Sequence, residues 1–141
     1  MLFKSNGKIL LCSEYLVLEG AKAIALPSKL TQDLQVTKCQ NKIIEWQSFD
    51  ENNDLWFEEK FYFSGSDLKY DGEKNKTSEK ILLLFKYLLK TKDIKDILGN
   101  KFLTKLNFKR DWGLGTSSTF VNNLAKWAKT DPYKLLFSSF N

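Results

Sequence analysis

Hydrophobic and polar residues alternate in several stretches of the chain, with the two-residue period that is typical of half-buried β-strands. Residues 30–37 show this pattern clearly, because every second side chain falls on the same face. That face carries three aliphatic side chains and one amide: Leu30, Gln32, Leu34 and Val36. Residues 9–11 are uniformly apolar, and this short run predicts a short buried strand near the N-terminus.

Two further strands are predicted at residues 42–49 and 55–63. The segment between them, residues 50–54, is a run of acidic and amide residues, which favours a turn and therefore a β-hairpin. Alternation in the second strand places four residues on one face: Leu55, Phe57, Phe61 and Phe63. Because the aromatic residues here follow the strand period, we interpret them as core rather than as a base-stacking surface: Trp56, Phe57, Phe61 and Phe63.

Three segments have the features of helices. After a polar loop at residues 64–76, Thr77 or Ser78 can cap a helix that runs to about Lys90. Its apolar residues fall at helical spacing: Ile81, Leu84, Phe85, Leu88 and Leu89. Pro132 is expected to open the last helix, because proline is well tolerated in a helical first turn. The helix between these two is marked by Phe120, Leu124, Trp127 and Ala128.

The order of these segments predicts the fold class. A last alternating stretch, residues 101–108, leads through a glycine loop into the second helix. Several strands, a helix, a strand, a loop and further helices predict an α+β fold, with a mixed β-sheet and helices on one face. No proline- or glycine-rich linker divides the chain, so we expect one domain over residues 1–141.

Composition and charge narrow the function only slightly. The chain has 43% hydrophobic and 28% charged residues, as ordinary globular proteins do. Its net charge of +5 would suit an anionic nucleotide, but the lysines are scattered and not clustered as in nucleic-acid-binding proteins. The chain has no histidine, which excludes histidine-based triads, and no CxxC motif. No stretch has the pattern of a signal peptide or a membrane span, so we expect a cytoplasmic protein without a membrane partner.

The glycine loop, GLGTSS at residues 113–118, is the segment best suited to chemistry. Two glycines one residue apart let the backbone turn tightly and approach a ligand closely. The hydroxyl residues after them stand where a helix begins, and a helix N-terminus offers unpaired N–H groups and a positive dipole end. These features suit a phosphate group and its Mg²⁺ ion. On local physics alone, a glycine turn before a capped helix is an equally good interpretation.

Two segments resemble motifs of the GHMP kinases, which include mevalonate, phosphomevalonate, homoserine and galactose kinases. The loop at residues 113–119 resembles the phosphate loop of the family, and residues 7–20, GKILLCSEYLVLEG, are similar to its opening motif. Two motifs in the right order are far more specific than either alone. The residues before the loop depart from the pattern, since relatives carry a proline and an extra glycine there. One of the residues that replace them, Arg110, is a candidate contact for phosphate or substrate.

The resemblance implies roles for individual residues. The ATP phosphates would be bound by backbone N–H groups of Gly113, Leu114, Gly115, Thr116, Ser117 and Ser118. The Ser117 hydroxyl would reach the Mg²⁺ ion that accompanies ATP. Lys8 would lie near the acceptor hydroxyl and stabilise charge during phosphoryl transfer. Glu14 and Tyr15 would line the acceptor side of the cleft. For Lys8, Glu14 and Tyr15 the alternative is an ordinary solvated side chain.

The resemblance also implies a reaction and a larger protein. ATP would transfer its γ-phosphoryl group to a small-molecule hydroxyl or phosphate, and the Lys8 and Glu14 motif favours a mevalonate-pathway substrate. The chain would correspond to the N-terminal, ATP-binding domain of such a kinase, with a left-handed βαβ unit. The catalytic aspartate and the C-terminal domain would lie beyond residue 141. We therefore expect that the chain does not catalyse phosphoryl transfer by itself.

Two other functions stay open from the sequence. One is a regulatory protein that binds a nucleotide or a sugar without turnover. The other is an RNA-binding module with a related α+β fold, which would require a contiguous basic face with exposed aromatic residues. The dispersed lysines make the RNA-binding function the weaker of the two, and no nucleic-acid partner is expected.

Overall fold

The structure of the chain is a computed structural model that describes residues 1–12 and 19–140. Within these residues the chain forms a six-stranded mixed sheet and four α-helices. The strands are β1 (Leu2–Cys12), β2 (Ile24–Lys38), β3 (Ile44–Phe49), β4 (Leu55–Ser64), β5 (Asp67–Tyr70) and β6 (Asn100–Leu106). The helices are α1 (Lys76–Leu88), α2 (Ile94–Ile97), α3 (Thr116–Ala128) and α4 (Pro132–Phe140).

The order of strands in the sheet is β1-β2-β6-β3-β4-β5. The central strands β3 and β6 are parallel, whereas the other neighbours are antiparallel. A single hydrophobic core joins the sheet to α1, α3 and α4. The predicted α+β class and the predicted hairpin of β3 and β4 are therefore confirmed.

An aromatic cluster, defined here as Trp46, Phe61, Phe85 and Phe102, occupies the core beneath the middle of the sheet. The rings of Trp46 and Phe102 are stacked, with their centroids 5.3 Å apart. Phe85 of α1 meets Phe102 edge to face at 5.3 Å, and Trp127 of α3 does so at 4.8 Å. Each such pair adds about 0.5–1.5 kcal/mol to the stabilisation from burial. The cluster therefore fixes both long helices to the central strands.

A polar seam, defined here as Ser5, Gln32, Thr119 and Asn123, joins α3 to the first two strands. The Asn123 side chain accepts a hydrogen bond from the Ser5 hydroxyl and donates one to the Gln32 carbonyl, both at 2.7 Å. The Thr119 hydroxyl donates to Gln32 Oε1 at 2.6 Å. All four residues are buried, and a buried polar group without a partner costs about 1–3 kcal/mol. The seam therefore fixes the position of α3 along the sheet.

The helices were predicted within two or three residues of their bounds, except for the short α2, which the pattern did not reveal. Helix α1 begins after Asn75, whose side chain accepts a hydrogen bond from the Ser78 N–H at 2.8 Å, so the cap predicted at Thr77 or Ser78 was wrong. Four of its five predicted apolar positions, Ile81, Leu84, Phe85 and Leu88, are buried, and Leu89 is half-buried against the core. Helix α4 begins at Pro132, as expected.

Two predictions about strands were wrong. Residues 9–11 do not form a short buried strand. They belong to the last part of the much longer β1, and Ile9 is 46% exposed. Ile9 pairs with Leu26 of β2, which is itself 49% exposed, so this end of the strand pair extends beyond the core. The polar loop predicted at residues 64–76 contains β5, whose single buried apolar residue, Leu68, is too little to show a period.

Candidate functional site

The glycine loop links the sheet to α3. After β6 the chain forms a 3-10 turn, Arg110–Trp112, and then passes through two glycines in the left-handed conformation, with φ of 69° at Gly113 and 78° at Gly115. Any other residue would lose about 1–2 kcal/mol in this conformation. Gly115 stands at the N-cap of α3 and offers no side chain to its first N–H groups. The predicted helix start after the glycines is confirmed, and its free N–H groups face outward from the first turn.

The first strand lies directly against this loop. The backbone N–H of Lys8 donates a hydrogen bond to the carbonyl of Leu114 at 2.9 Å. A Cβ atom on Gly115 would lie 3.2 Å from both Cγ and Cε of Lys8, so the lysine side chain passes over the bare glycine backbone. A Cβ atom on Gly7 would lie 3.1 Å from the Leu114 carbonyl oxygen. The structure therefore brings together the two sequence motifs, and each needs a glycine at the contact.

An irregularity in the β1–β2 ladder accompanies this contact. Asn6 pairs with Thr31, whereas Lys8 pairs with Pro27, so β2 holds two more residues than β1 between these pairs. The Asn6 amide closes the gap by donating to the Ser28 carbonyl at 2.8 Å. Such bulges change the direction of a strand and re-aim its groups. Here the N–H of Lys8 is bonded to the glycine loop.

A cavity of about 240 Å³ opens beside the first turn of α3. Polar groups of the central strands line it, and they are already paired, since the hydroxyl of Ser48 accepts from Thr104 and from the indole of Trp46, both at 2.9 Å. Aromatic walls and two residues of α3 complete the lining. The lining includes Trp56, Phe120, Lys80, Arg110, Thr116 and Ser117.

Trp56 faces this cavity and is not in the core, so its predicted core position was wrong. Ser48 pairs with Phe57 and Phe49 pairs with Leu55, which leaves Trp56 as the extra residue of a bulge in β4. A bulge breaks the two-residue alternation, so Leu55, which the alternation placed on the face of Phe57, is 44% exposed. Phe61 is fully buried as predicted, whereas Phe57 and Phe63 are half-buried against the core.

The far wall of the cavity belongs to α1, which contributes Thr77, Lys80 and Ile81. The start of this helix is fixed by Glu59 of β4, a carboxylate that is 9% exposed. Glu59 accepts a hydrogen bond from the Ser78 hydroxyl at 2.9 Å and one from the Gly72 N–H at 3.3 Å. Sequence reasoning missed Glu59. The alternation of β4 places this residue on the same face as Phe57 and Phe61, and a charged residue on an apolar face indicates a buried hydrogen-bonding role.

The predicted site residues have different outcomes. Lys8 and residues 113–118 lie together, with Ser117 and Ser118 exposed at the start of α3. Glu14 and Tyr15 lie outside the described residues. The described part of the chain contains no cluster of three or more acidic, cysteine or histidine residues that could hold a metal ion. It also contains no helix long and apolar enough to span a membrane.

Comparison with known proteins places the fold. No protein-family model and no curated protein matches the sequence. Solved structures do match, among them the mevalonate kinase of Methanococcus jannaschii, with a TM-score of 0.60 and 18% identity over 98% of this chain. The Lin0012 protein of Listeria innocua matches with a TM-score of 0.63 and 20% identity over 99% of this chain. A mevalonate diphosphate decarboxylase from Legionella pneumophila matches with a TM-score of 0.55 and 15% identity over 98% of this chain.

The chain spans less than half of these structures, covering 46%, 42% and 40% of their respective lengths. At this level of identity the comparison shows the fold. The chain has the fold of the N-terminal domain of GHMP kinases, as the sequence motifs had indicated.

Proposed function

We propose that this chain binds MgATP at the glycine loop and the adjoining cavity, as the nucleotide-binding part of a small-molecule kinase. The observation that carries the proposal is the contact of Lys8 with Leu114 and Gly115. It joins the two motifs on which the resemblance to GHMP kinases rests, beside a cavity with aromatic walls.

The first turn of α3 suits the phosphates. Its unpaired N–H groups and the positive end of the helix dipole, equivalent to about half an elementary charge, favour an anion. The missing Cβ of Gly115 makes room for the Lys8 side chain beside this turn, and the hydroxyl of the exposed Ser117 is proposed to bind the Mg²⁺ ion of MgATP. The residues present therefore fit the predicted cofactors.

The cavity suits the base. Phe120 is a half-buried aromatic residue on its wall, and stacking of a base on an aromatic side chain contributes about 1–3 kcal/mol. A site with apolar walls and a few placed polar groups is typical of small-molecule pockets.

In the proposed reaction, the γ-phosphoryl group of ATP passes to a hydroxyl or phosphate of a small acceptor, and Lys8 neutralises the charge that moves with it. The side chain of Lys8 is exposed beside the loop, which suits this role. Glu14 and Tyr15 are proposed to contact the acceptor, for which a mevalonate-pathway substrate is our preference. We expect nucleotide binding without steady turnover from the 141-residue chain.

The test compares two glycines with the same strain. Gly115→Ala and Gly65→Ala each place an alanine at a positive φ, 78° and 64°, so each should destabilise the protein by about 1–2 kcal/mol. Only the alanine at 115 would press on Lys8, because a Cβ on Gly65 meets nothing within 4 Å. We expect MgATP to raise the melting temperature of the parent and of Gly65→Ala, and to leave that of Gly115→Ala almost unchanged.

Thermal melts with increasing MgATP measure these shifts. A parent protein that melts cooperatively and shows no shift would contradict the proposal. Equal shifts in all three proteins would mean that the nucleotide binds elsewhere.

A further inference from the structure

We infer that Arg110, held flat on the ring of Trp56, is the cation that recognises the phosphate chain of the nucleotide. The site would thereby prefer nucleoside di- and triphosphates to nucleosides. The inference rests on the proposed function and adds to it a residue outside the two recognised motifs.

The geometry of Arg110 is that of a positioned group. Its guanidinium carbon lies 3.5 Å from the centre of the Trp56 ring, well within the range of a cation–π contact. A guanidinium that stacks through its face keeps its five N–H donors free around its edge. The stack therefore fixes the plane of the cation and leaves its hydrogen-bonding capacity for a ligand.

No acidic residue neutralises Arg110 within the described chain. The ion pairs of these residues include Lys4 with Asp33, Lys74 with Glu79, and Lys86 with Asp67. The lining of the cavity includes Arg110 and, among described residues, no carboxylate. A cavity that is lined by this cation and by no carboxylate attracts an anionic ligand.

The position of Arg110 relative to the phosphate site is fixed by the backbone. Arg110 begins the 3-10 turn that ends at Trp112, directly before Gly113, and the Trp112 N–H closes this turn by donating to the Lys109 carbonyl at 3.2 Å. Arg110 lines the same cavity as Thr116 and Ser117 at the start of α3. One ligand can therefore contact both the helix N-terminus and the guanidinium.

The ring of Trp56 supports Arg110 from β4. Trp56 is the extra residue of the bulge in this strand and lines the same cavity as Arg110. Its buried indole nitrogen has no hydrogen-bond partner among the described residues, so the ring is held by packing and by its contact with Arg110. The bulge that turns Trp56 towards the cavity thus places its ring against the guanidinium.

The experiment measures, by isothermal titration calorimetry, the binding of MgATP, MgADP and adenosine to the 141-residue chain. We expect Arg110→Ala to raise the Kd for MgATP and MgADP by roughly 10- to 100-fold, as for a lost charged hydrogen bond. The Kd for adenosine should change by less than about twofold, because adenosine has no phosphate. Arg110→Lys should recover little of the loss, since an ammonium neither stacks flat nor binds in bidentate fashion.

Two further variants make the test specific. Trp56→Leu removes the support of Arg110. The loss of MgATP binding free energy in the double variant Trp56→Leu/Arg110→Ala should therefore be smaller than the sum of the losses in the two single variants. Lys109→Ala removes the same charge from the neighbouring exposed position and should leave the Kd for MgATP within about twofold. Arg110 is exposed, so its variants should melt as the parent does without ligand.

Several results would overturn the inference. These are an unchanged Kd for MgATP in Arg110→Ala, an equal loss for adenosine, or an equal loss in Lys109→Ala. If Arg110→Ala binds normally while Gly115→Ala does not bind, this inference fails and the proposed function stands. If the parent binds none of the three ligands, both fail.

Discussion

The aromatic cluster and the polar seam both hold helices against the same sheet, but they do so by different forces. The cluster buries large rings such as Trp46 and Phe102 and works through non-directional burial and dispersion. The seam works through short hydrogen bonds with defined directions, from Ser5 to Asn123 and from Thr119 to Gln32. The hydrogen bonds of the polar seam therefore position α3, the helix that follows the glycine loop, whereas the aromatic cluster contributes most of the stability.

The largest expected effect comes from breaking the cluster at its centre. Phe102 is fully buried and contacts Trp46, Phe85 and Trp127, so Phe102→Ala leaves a cavity that three rings surround. We expect a loss of about 3–5 kcal/mol in the free energy of unfolding, measured by urea denaturation. The control is Phe137→Ala, because Phe137 is 63% exposed and its loss should stay within about 0.5 kcal/mol. Similar losses for both variants would contradict the assignment of the core.

A smaller effect on stability, but a larger one on the site, is expected from the seam. Asn123→Ala leaves both the Ser5 hydroxyl and the Gln32 carbonyl without that partner and should cost about 1–3 kcal/mol. Asn122→Ala is the matched control, since half-buried Asn122 makes a single bond to Ser5, at 2.8 Å. We expect Asn123→Ala to weaken MgATP binding in titration calorimetry and Asn122→Ala to leave it nearly unchanged. An equal effect of the two on binding would mean that the seam does not position the loop.

The smallest effect is expected from an exposed ion pair on the cluster side of the sheet. A hydrogen bond from Lys86, at 2.8 Å, lowers the pKa of Asp67 below its usual 3.8. The pair therefore adds stability above pH 3.8, and this contribution is lost as the pH falls through the lowered pKa. In thermal melts, Asp67→Asn should lower the melting temperature slightly at neutral pH, and the difference from the parent should vanish in acid and shrink in high salt. A difference that grows in acid would contradict the sign of the shift.

The periodic parts of the fold were readable from the sequence, and the irregular parts were not. Residues such as Leu34 and Leu84 were placed correctly because each lies on an uninterrupted strand or helix with one buried face. Leu55 was placed on the inward face of β4 but is exposed, because a bulge at Trp56 shifts the period of the strand by one residue, and nothing in the local pattern marks a bulge. Strand β5 was missed because four residues with one buried side chain show no period.

In the candidate site, likewise, the local features could be predicted from the sequence and the tertiary contacts could not. The glycine loop could be located at the start of α3, since two glycines one residue apart and a row of hydroxyl residues are local signals. The contact of Lys8 with Leu114 is tertiary, so only the resemblance to known motifs indicated that these segments belong together. Gln32 was placed on the buried face of its strand, but its bond to Thr119 could not be anticipated, because it depends on how α3 lies over the sheet.

The bond between Ser5 and Asn123 also constrains the order of events during folding, because its partners are 118 positions apart in the sequence. Bringing such distant segments together carries a loop-closure cost in entropy, so long-range contacts of this kind tend to form late. On the ribosome, this bond cannot form until α3 has been synthesised, long after the first strand has left the exit tunnel. The glycine loop and Lys8 therefore come together late in the folding of these residues, and a nucleotide would bind the assembled sheet and helix rather than guide the early stages.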